Sequence, residues 1–223
     1  MTAAELDYIR SDRQESVGKI KTITLLAHRQ TWAYVAGKFM TDPFWYFYLF
    51  WVPDFLQRQH GLALIRIGLP IMMIYVLSDV GSITGGWFSS WLIGRGKSIN
   101  AARKIAMLLC ALCVVPIVFA YHAESMWTAV LLIGLATAAH QGFSANLYTL
   151  TSDMFPTRAV SSVVGMGGMA GAVGGMFIAK VVGYVLQSTG SYAIPFLMAG
   201  SAYLLALASI QILAPRIETV NIG

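Results

Sequence analysis

The chain has 223 residues, of which 57% are hydrophobic and only 11% charged. This excludes an ordinary soluble domain, in which about 25% of residues are charged. Its formal net charge is +5, but the basic residues do not form a patch on a soluble surface, so a nucleic-acid partner is not expected. Apolar runs of about 20 residues, enough for a helix to cross a bilayer, follow one another from Trp32 to Leu213. The runs do not alternate as the strands of a membrane β-barrel do. The sequence therefore predicts an all-α polytopic membrane protein.

Six transmembrane helices account for the apolar runs. They are predicted at residues 32–56, 68–93, 104–121, 126–151, 160–187 and 192–213. Together they form one bundle over 31–214, with a polar segment at 1–30 that is not a signal peptide and a short tail at 215–223. Basic residues are concentrated before span one, in alternate loops and after span six, and such residues favour the cytoplasmic side. We therefore expect both termini to be cytoplasmic.

The first span is interrupted by Asp42-Pro43. Because proline has no N–H to donate and disfavours helical geometry at the preceding residue, the helix is expected to break or kink here. An aromatic run follows, from Phe44 to Trp51, and we expect it to border a central cavity. Tyr46 and Tyr48 lie deeper in this run, where they either contact a polar ligand or belong to the aromatic belt of the membrane interface.

Two charged residues inside the spans are candidates for function. Asp79 lies about eleven residues into span two, where a carboxylate costs roughly 2.5–3.5 kcal/mol on insertion scales. It should therefore face a cavity or a partner, either as a structural hydrogen-bond acceptor or in ion coupling or substrate contact. Lys180 in span five pairs with Asp79, binds an anion, or extends its ammonium group to the interface.

Motifs that carry catalytic or cofactor chemistry elsewhere have a packing interpretation here. Cys110 and Cys113 form a C-x-x-C inside an apolar run, without the accessible thiolate of a redox pair or the four ligands of a zinc site. The glycines from Gly167 to Gly175 recur every four residues within span five and favour close helix contact. A nucleophilic serine in span four, such as Ser144, would need a histidine base on a later span, but no histidine follows His140. The sequence thus predicts no enzyme activity, no metal site and no cofactor.

Span four carries polar residues on two helical faces. One face holds Gln141, Ser144 and Tyr148, and the other holds Asn146, Thr149 and Asp153. A single polar face can hold helices together, whereas two faces predict that at least one lines a wet cavity. Amide and hydroxyl groups suit a hydroxyl-rich ligand. The predicted substrate contacts are Tyr46, Tyr48, Gln141, Ser144 and Asn146.

The loop after span two has a glycine helix end at Gly86, followed by the basic residues Arg95 and Lys97. This pattern resembles the loop signature of the major facilitator superfamily, with Ser90 and Trp91 where Asp and Arg are typical. The next cytoplasmic loop, from Asp153 through Pro156 to Arg158, looks like the D/E-x-F-P-x-x-x-R pattern before the eleventh helix. The expected gating residues are Gly86, Arg95, Lys97, Asp153 and Arg158.

The segment 38–53 adds to these two loop patterns. Taken together, they resemble the anion:cation symporter branch of this superfamily, and the chain is similar to bacterial hexuronate transporters. The resemblance implies the C-terminal bundle of the fold, helices seven to twelve, with 1–30 as the end of the central cytoplasmic loop. It implies half of a secondary transporter that alternates access with a missing N-terminal six-helix bundle.

The implied activity is proton-coupled uptake of glucuronate or galacturonate across the inner membrane of a bacterium. The implied partners are a small organic anion, a proton or other cation, the second bundle and the lipid bilayer. The alternative is a self-contained six-span protein that forms a homodimeric transporter or pore.

Overall fold

The computed structural model describes residues 22–220 and residue 222. Most of the polar segment 1–30 therefore lies outside the described residues. A one-turn helix, Thr22–Leu25, leads into six long helices. They are α1 (Arg29–His60), α2 (Gly68–Gly94), α3 (Ile99–Val114), α4 (Met126–Met154), α5 (Thr157–Thr189) and α6 (Ala193–Leu213). A short 3-10 turn, Leu64–Arg66, precedes α2, and α3 continues directly as the 3-10 helix Val115–His122.

Five of these elements are long and apolar enough to cross a membrane, by length and composition, within the described residues. They are α2, α3 with its 3-10 continuation, α4, α5 and α6. Helix α1 has 32 residues but includes two oppositely charged pairs, Lys38 with Asp42 and Asp54 with Arg58, which lower its hydropathy. It packs against α4, α5 and α6 and is the sixth helix of the bundle.

Helix α1 is continuous through Asp42 and Pro43, so the helix does not break there, and a kink at this point stays a prediction. Pro43 provides no N–H for the carbonyl of Phe39, one turn earlier. That carbonyl faces Gly174 on α5, where an added Cβ would lie only 2.9 Å from the oxygen and 2.7 Å from the Pro43 ring. The neighbouring helix thus accommodates the proline because it presents a glycine at this point.

The helices pack in a pattern with internal two-fold symmetry. The most extensive contacts join α1 to α5 and α2 to α4, and the next join α3 to α4 and α1 to α6. Exchanging the first three helices for the last three converts each contact into its counterpart. This is the arrangement that a 3+3 inverted repeat produces.

Glycines set the closest approaches in both main contacts. A Cβ at Gly81 or Gly85 would collide with the backbone of α4 at Ala138 or Gly142. On α5, the glycines at 167, 171 and 175 face side chains of α1 in the same way. Small residues allow such contact in a bilayer, where the hydrophobic effect does not drive helices together. The packing role predicted for the glycine run is confirmed.

The C-terminal tail crosses the ends of two helices. The backbone N–H of Val220 donates to the carbonyl of Met154 at 2.8 Å. The N–H of Ile217 donates to the side chain of Asn100 at 3.2 Å. Lys104 donates to the carbonyl of Pro215 at 2.7 Å. The tail therefore covers the start of α3 and the end of α4.

Candidate functional site

A buried ion pair lies at the contact between α1, α4 and α5. The ammonium of Lys38 is 2.8 Å from a carboxylate oxygen of Asp42, one turn later on α1. Lys38 also donates to the hydroxyl of Tyr148 on α4 at 3.2 Å and lies 4.4 Å from the centroid of that ring. The ammonium thus has an anionic partner, a hydroxyl acceptor and an aromatic face.

Exposure differs sharply among the three side chains of this cluster. The Lys38 side chain is 4% exposed and that of Asp42 is 18% exposed, whereas Tyr148 is 43% exposed. A cation at this depth is unfavourable without a counter-ion, so Asp42 stabilises the buried charge. The pair is reached from the bundle surface past Asp42 and Tyr148.

Tyr34 and two glycines complete the surroundings of the pair. Tyr34 is fully buried one turn before Lys38, and its hydroxyl has no hydrogen-bond partner among the described residues. Gly167 faces the Tyr34 ring and the Lys38 stem, and Gly171 faces the Asp42 carboxylate. Helix α5 therefore contributes close backbone contact without adding a polar side chain at these two positions.

An aromatic cluster lies two turns further along α1. The ring of Trp45 stacks on His140 of α4, with centroids 5.2 Å apart, and meets Tyr75 of α2 edge-on. His140 is hydrogen-bonded through Nδ1 to the Tyr203 hydroxyl of α6 at 2.7 Å. The cluster connects four helices and lies at one end of the site.

The two polar faces predicted for α4 have different surroundings. Gln141 is half-buried and Ser144 buried on the face that leads to Tyr148, and neither side chain bonds to another described residue. Asn146 is fully buried on the other face and donates to the carbonyls of Gly85 and Gly142 at 3.0 and 2.9 Å. This geometry favours helix packing for Asn146 and leaves Gln141 and Ser144 available to a ligand.

The two predicted tyrosines of α1 lie on different sides of the helix. Tyr46 is half-buried, stacks on Phe50 and faces Gly175 of α5. Tyr48 is buried and lines a small cavity of about 30 Å³ with Trp45. The structure thus brings Tyr46 to the α5 side with Asp42 and Tyr48 to the aromatic cluster.

Asp79 and Lys180 do not pair with each other. Both are exposed on the bundle, and neither makes an ion pair or hydrogen bond to another described residue. Asp79 lies one turn after Tyr75 on the face of α2 that borders Trp45. Because a carboxylate exposed to lipid is unfavourable, this face requires a polar neighbour at membrane depth.

An ionic contact links the ends of α2, α3 and α4. Arg103 donates to the carboxylate of Asp153 at 3.0 Å and to the hydroxyl of Ser89 at 2.8 Å. Both charged side chains are largely buried. Of the expected gating residues, Asp153 is therefore part of a contact between helices.

The other expected gating residues form separate contacts. The Gly86 carbonyl accepts hydrogen bonds from two serine hydroxyls of its own helix. Arg95 lies over the Trp91 ring, 3.9 Å from its centroid, and Lys97 is exposed. Arg158 donates to the carbonyl of Ile222 in the tail at 2.9 Å.

Two of the central residues, Lys38 and Arg103, do not stand out in the sequence. Lys38 falls near the start of the predicted first span, but it lies inside α1 and is buried. The available signal was its spacing of four residues from Asp42, which places opposite charges on one helical face. Arg103 is one of several basic residues between spans two and three, and no local pattern connects it to Asp153.

No group of three or more histidine, cysteine, aspartate or glutamate residues in the described part of the chain is placed to hold a metal ion. Cys110 and Cys113 are free and half-buried. What the site does offer is a buried cation with an exposed route to it, amide and hydroxyl groups nearby, and aromatic rings. Groups of these types can bind a polar anion.

The sequence matches the model of the Major Facilitator Superfamily over residues 7–179, which is more than half of the chain. The chain belongs to this superfamily. Its fold agrees with a crystal structure titled as a bacterial homologue of the human lysosomal transporter Spinster, in an inward-facing and unoccupied conformation. That likeness has a TM-score of 0.58 at 18% identity and covers 92% of this chain and 50% of the other.

Curated members of the superfamily are similar along most of the chain. The D-galactonate transporter of Escherichia coli O6:H1 is 28% identical over 202 residues, which cover 85% of this chain and 47% of the relative. The hexuronate transporter of Escherichia coli K12 is 28% identical over 199 residues, covering 85% and 45%. The chain spans about half the length of the curated relatives it matches. The relatives are transporters, in agreement with the expectation that this chain is not an enzyme.

Proposed function

We propose that the chain is one bundle of a secondary transporter for sugar acids, with proton-coupled uptake of hexuronates such as glucuronate as its activity. The observation that carries the proposal is the buried ammonium of Lys38 beside Asp42 and Tyr148. A sugar acid needs a cation for its carboxylate and hydrogen-bonding groups for its hydroxyls. The names of the relatives support the substrate class.

In this proposal, Lys38 binds the carboxylate, and Gln141 and Ser144 contact the hydroxyls from α4. Tyr46 and Tyr48 bound the site on α1, and Asn146 holds α2 to α4. Asp79 faces the second bundle, and Lys180 extends its ammonium to the membrane interface. These assignments follow the contacts and exposure described above.

The site is proposed to be complete only with a matching N-terminal six-helix bundle, because alternating access requires two bundles on either side of one site. Both termini and the basic loops then lie on the cytoplasmic side of a bacterial inner membrane. The cytoplasmic end of the bundle carries five charged residues that stabilise its closed state: Arg95, Lys97, Arg103, Asp153 and Arg158.

The test is uptake of labelled D-glucuronate into proteoliposomes that contain either the chain alone or the chain joined to a matching N-terminal bundle. We expect uptake only with both bundles, driven by an inward proton gradient, inhibited by galacturonate and unaffected by glucose. Transport by the chain alone would contradict the two-bundle arrangement and support the homodimer. Two-bundle protein that carries glucose as well as glucuronate would contradict the role of the cation.

A further inference from the structure

Asp42 presents to Lys38 the same chemical group that a sugar acid would present. Its carboxylate oxygen lies 2.8 Å from the ammonium, which is ordinary geometry for a charge-assisted hydrogen bond. A carboxylate is an acceptor through two oxygens whether it belongs to a side chain or to a substrate. In this conformation Asp42 therefore occupies the position on Lys38 that a substrate carboxylate requires.

The pair has few other ionisable neighbours. Tyr34 on α1 and Tyr203 on α6 interact electrostatically with Asp42, and His140 on α4 does so with Lys38. Tyr148 on α4 contacts the ammonium directly. Helix α5 meets the pair with Gly167 and Gly171, which carry no titratable group. Asp42 is thus the acidic group in contact with the buried cation.

Resting on the proposed function, we propose that Asp42 is the proton-linked competitor of the substrate for Lys38. A proton from water at the exposed side of Asp42 binds one of its carboxylate oxygens, and the ion pair with Lys38 breaks. The ammonium keeps its three protons and binds the carboxylate of the substrate. When the substrate leaves, the proton leaves Asp42 on the same side and the ion pair forms again.

The charges balance in both states of this cycle. The empty site holds the Lys38 cation and the Asp42 anion, and the loaded site holds the Lys38 cation, the substrate carboxylate and a neutral Asp42. Neither state leaves an unpaired charge at membrane depth, which would be strongly unfavourable. One proton therefore accompanies each carboxylate at this site. The greater exposure of Asp42, 18% against 4% for Lys38, gives the proton access to the side chain that must bind it.

The experiment compares two activities of the two-bundle transporter in proteoliposomes with D-glucuronate. Exchange of internal for external glucuronate without a pH gradient needs substrate binding but no net proton movement. Accumulation driven by an inward proton gradient needs both. We expect Asp42→Asn to keep exchange and to lose accumulation, because an amide is uncharged and does not release a proton.

The matched control is Asp54→Asn, the same substitution in another pair with spacing of four residues on α1, formed with Arg58 in a more exposed position. It should keep both activities. Accumulation by Asp42→Asn would overturn the proposal, and so would a folded Asp42→Asn protein that has lost exchange. Wild-type protein that transports no glucuronate would instead refute the proposed function.

A second measurement decides the matter if Asp42→Asn does not fold. Glucuronate remains ionised above about pH 5, because carboxyl groups in water lose their protons below that range. The wild-type affinity should then weaken by about tenfold for each pH unit above the pH at which Asp42 ionises, since binding requires its proton. Affinity that is constant between about pH 5 and pH 8 would overturn the proposal.

Discussion

The contact between α1 and α5 can be tested with two glycines one turn apart on α5. A Cβ at Gly171 would collide with the carboxylate of Asp42 and lie 2.9 Å from the Cβ of that residue, whereas a Cβ at Gly168 would have nothing within 4 Å. Alanine is favoured over glycine in a helix by about 0.8–1.0 kcal/mol, and this gain is common to both substitutions. Overpacking costs about 1–3 kcal/mol and applies only to Gly171→Ala.

The expected result is that Gly171→Ala is less stable than Gly168→Ala by about 1–3 kcal/mol, the overpacking cost alone. For a chain of this size that difference corresponds to a melting temperature lower by about 2–12 °C. Thermal unfolding of the two purified variants in the same detergent measures it. In the two-bundle transporter, Gly171→Ala should also reduce glucuronate uptake at temperatures where the protein remains folded, because Asp42 is displaced from Lys38. Equal melting temperatures would refute the close approach of α5 to Asp42.

Two further predictions concern the opposite end of the bundle. A double-mutant cycle on Arg103→Ala and Asp153→Asn should give a coupling free energy of about 0.5–3 kcal/mol, as is usual for side chains in direct contact, and strictly additive effects would show that the two do not interact. Arg158→Ala removes the hydrogen bond to the carbonyl of Ile222 and should speed amide hydrogen exchange in the tail at 215–222, measured by mass spectrometry. Unchanged exchange there would show that Arg158 does not hold the tail.

The helices were predictable because their signals are local. Five of the six predicted spans lie within one observed helix or within one residue of it, and the span at 104–121 runs from α3 into its 3-10 continuation. Runs of about 20 apolar residues are long enough to cross a bilayer and can be recognised without tertiary contacts. The glycine spacing from Gly167 to Gly175 likewise predicts a packing face without knowledge of the partner helix. The absent break at Pro43 was not predictable in this way, because Gly174 on another helix accommodates the proline.

The site depends on contacts between residues far apart in the chain. Lys38 and Tyr148 are separated by 110 positions, and Arg103 and Asp153 by 50. Helical spacing predicts that Gln141 and Asn146 lie on different faces of α4, but it does not determine which face meets α1. The approach of Gly85 on α2 decides this, because its carbonyl accepts the Asn146 amide.

The central claim is that Lys38 binds the carboxylate of a sugar acid, and the dissociation constant for D-glucuronate in the two-bundle transporter tests it most directly. A hydrogen bond to a charged group contributes about 1.5–3 kcal/mol, so Lys38→Gln should weaken binding about 10- to 150-fold. The double variant Lys38→Gln/Asp42→Asn, which leaves no unpaired charge, should bind as weakly. Lys180→Gln, at the exposed lysine of α5, should bind as the wild type does. Unchanged affinity in both Lys38 variants would place the carboxylate site elsewhere and contradict the account.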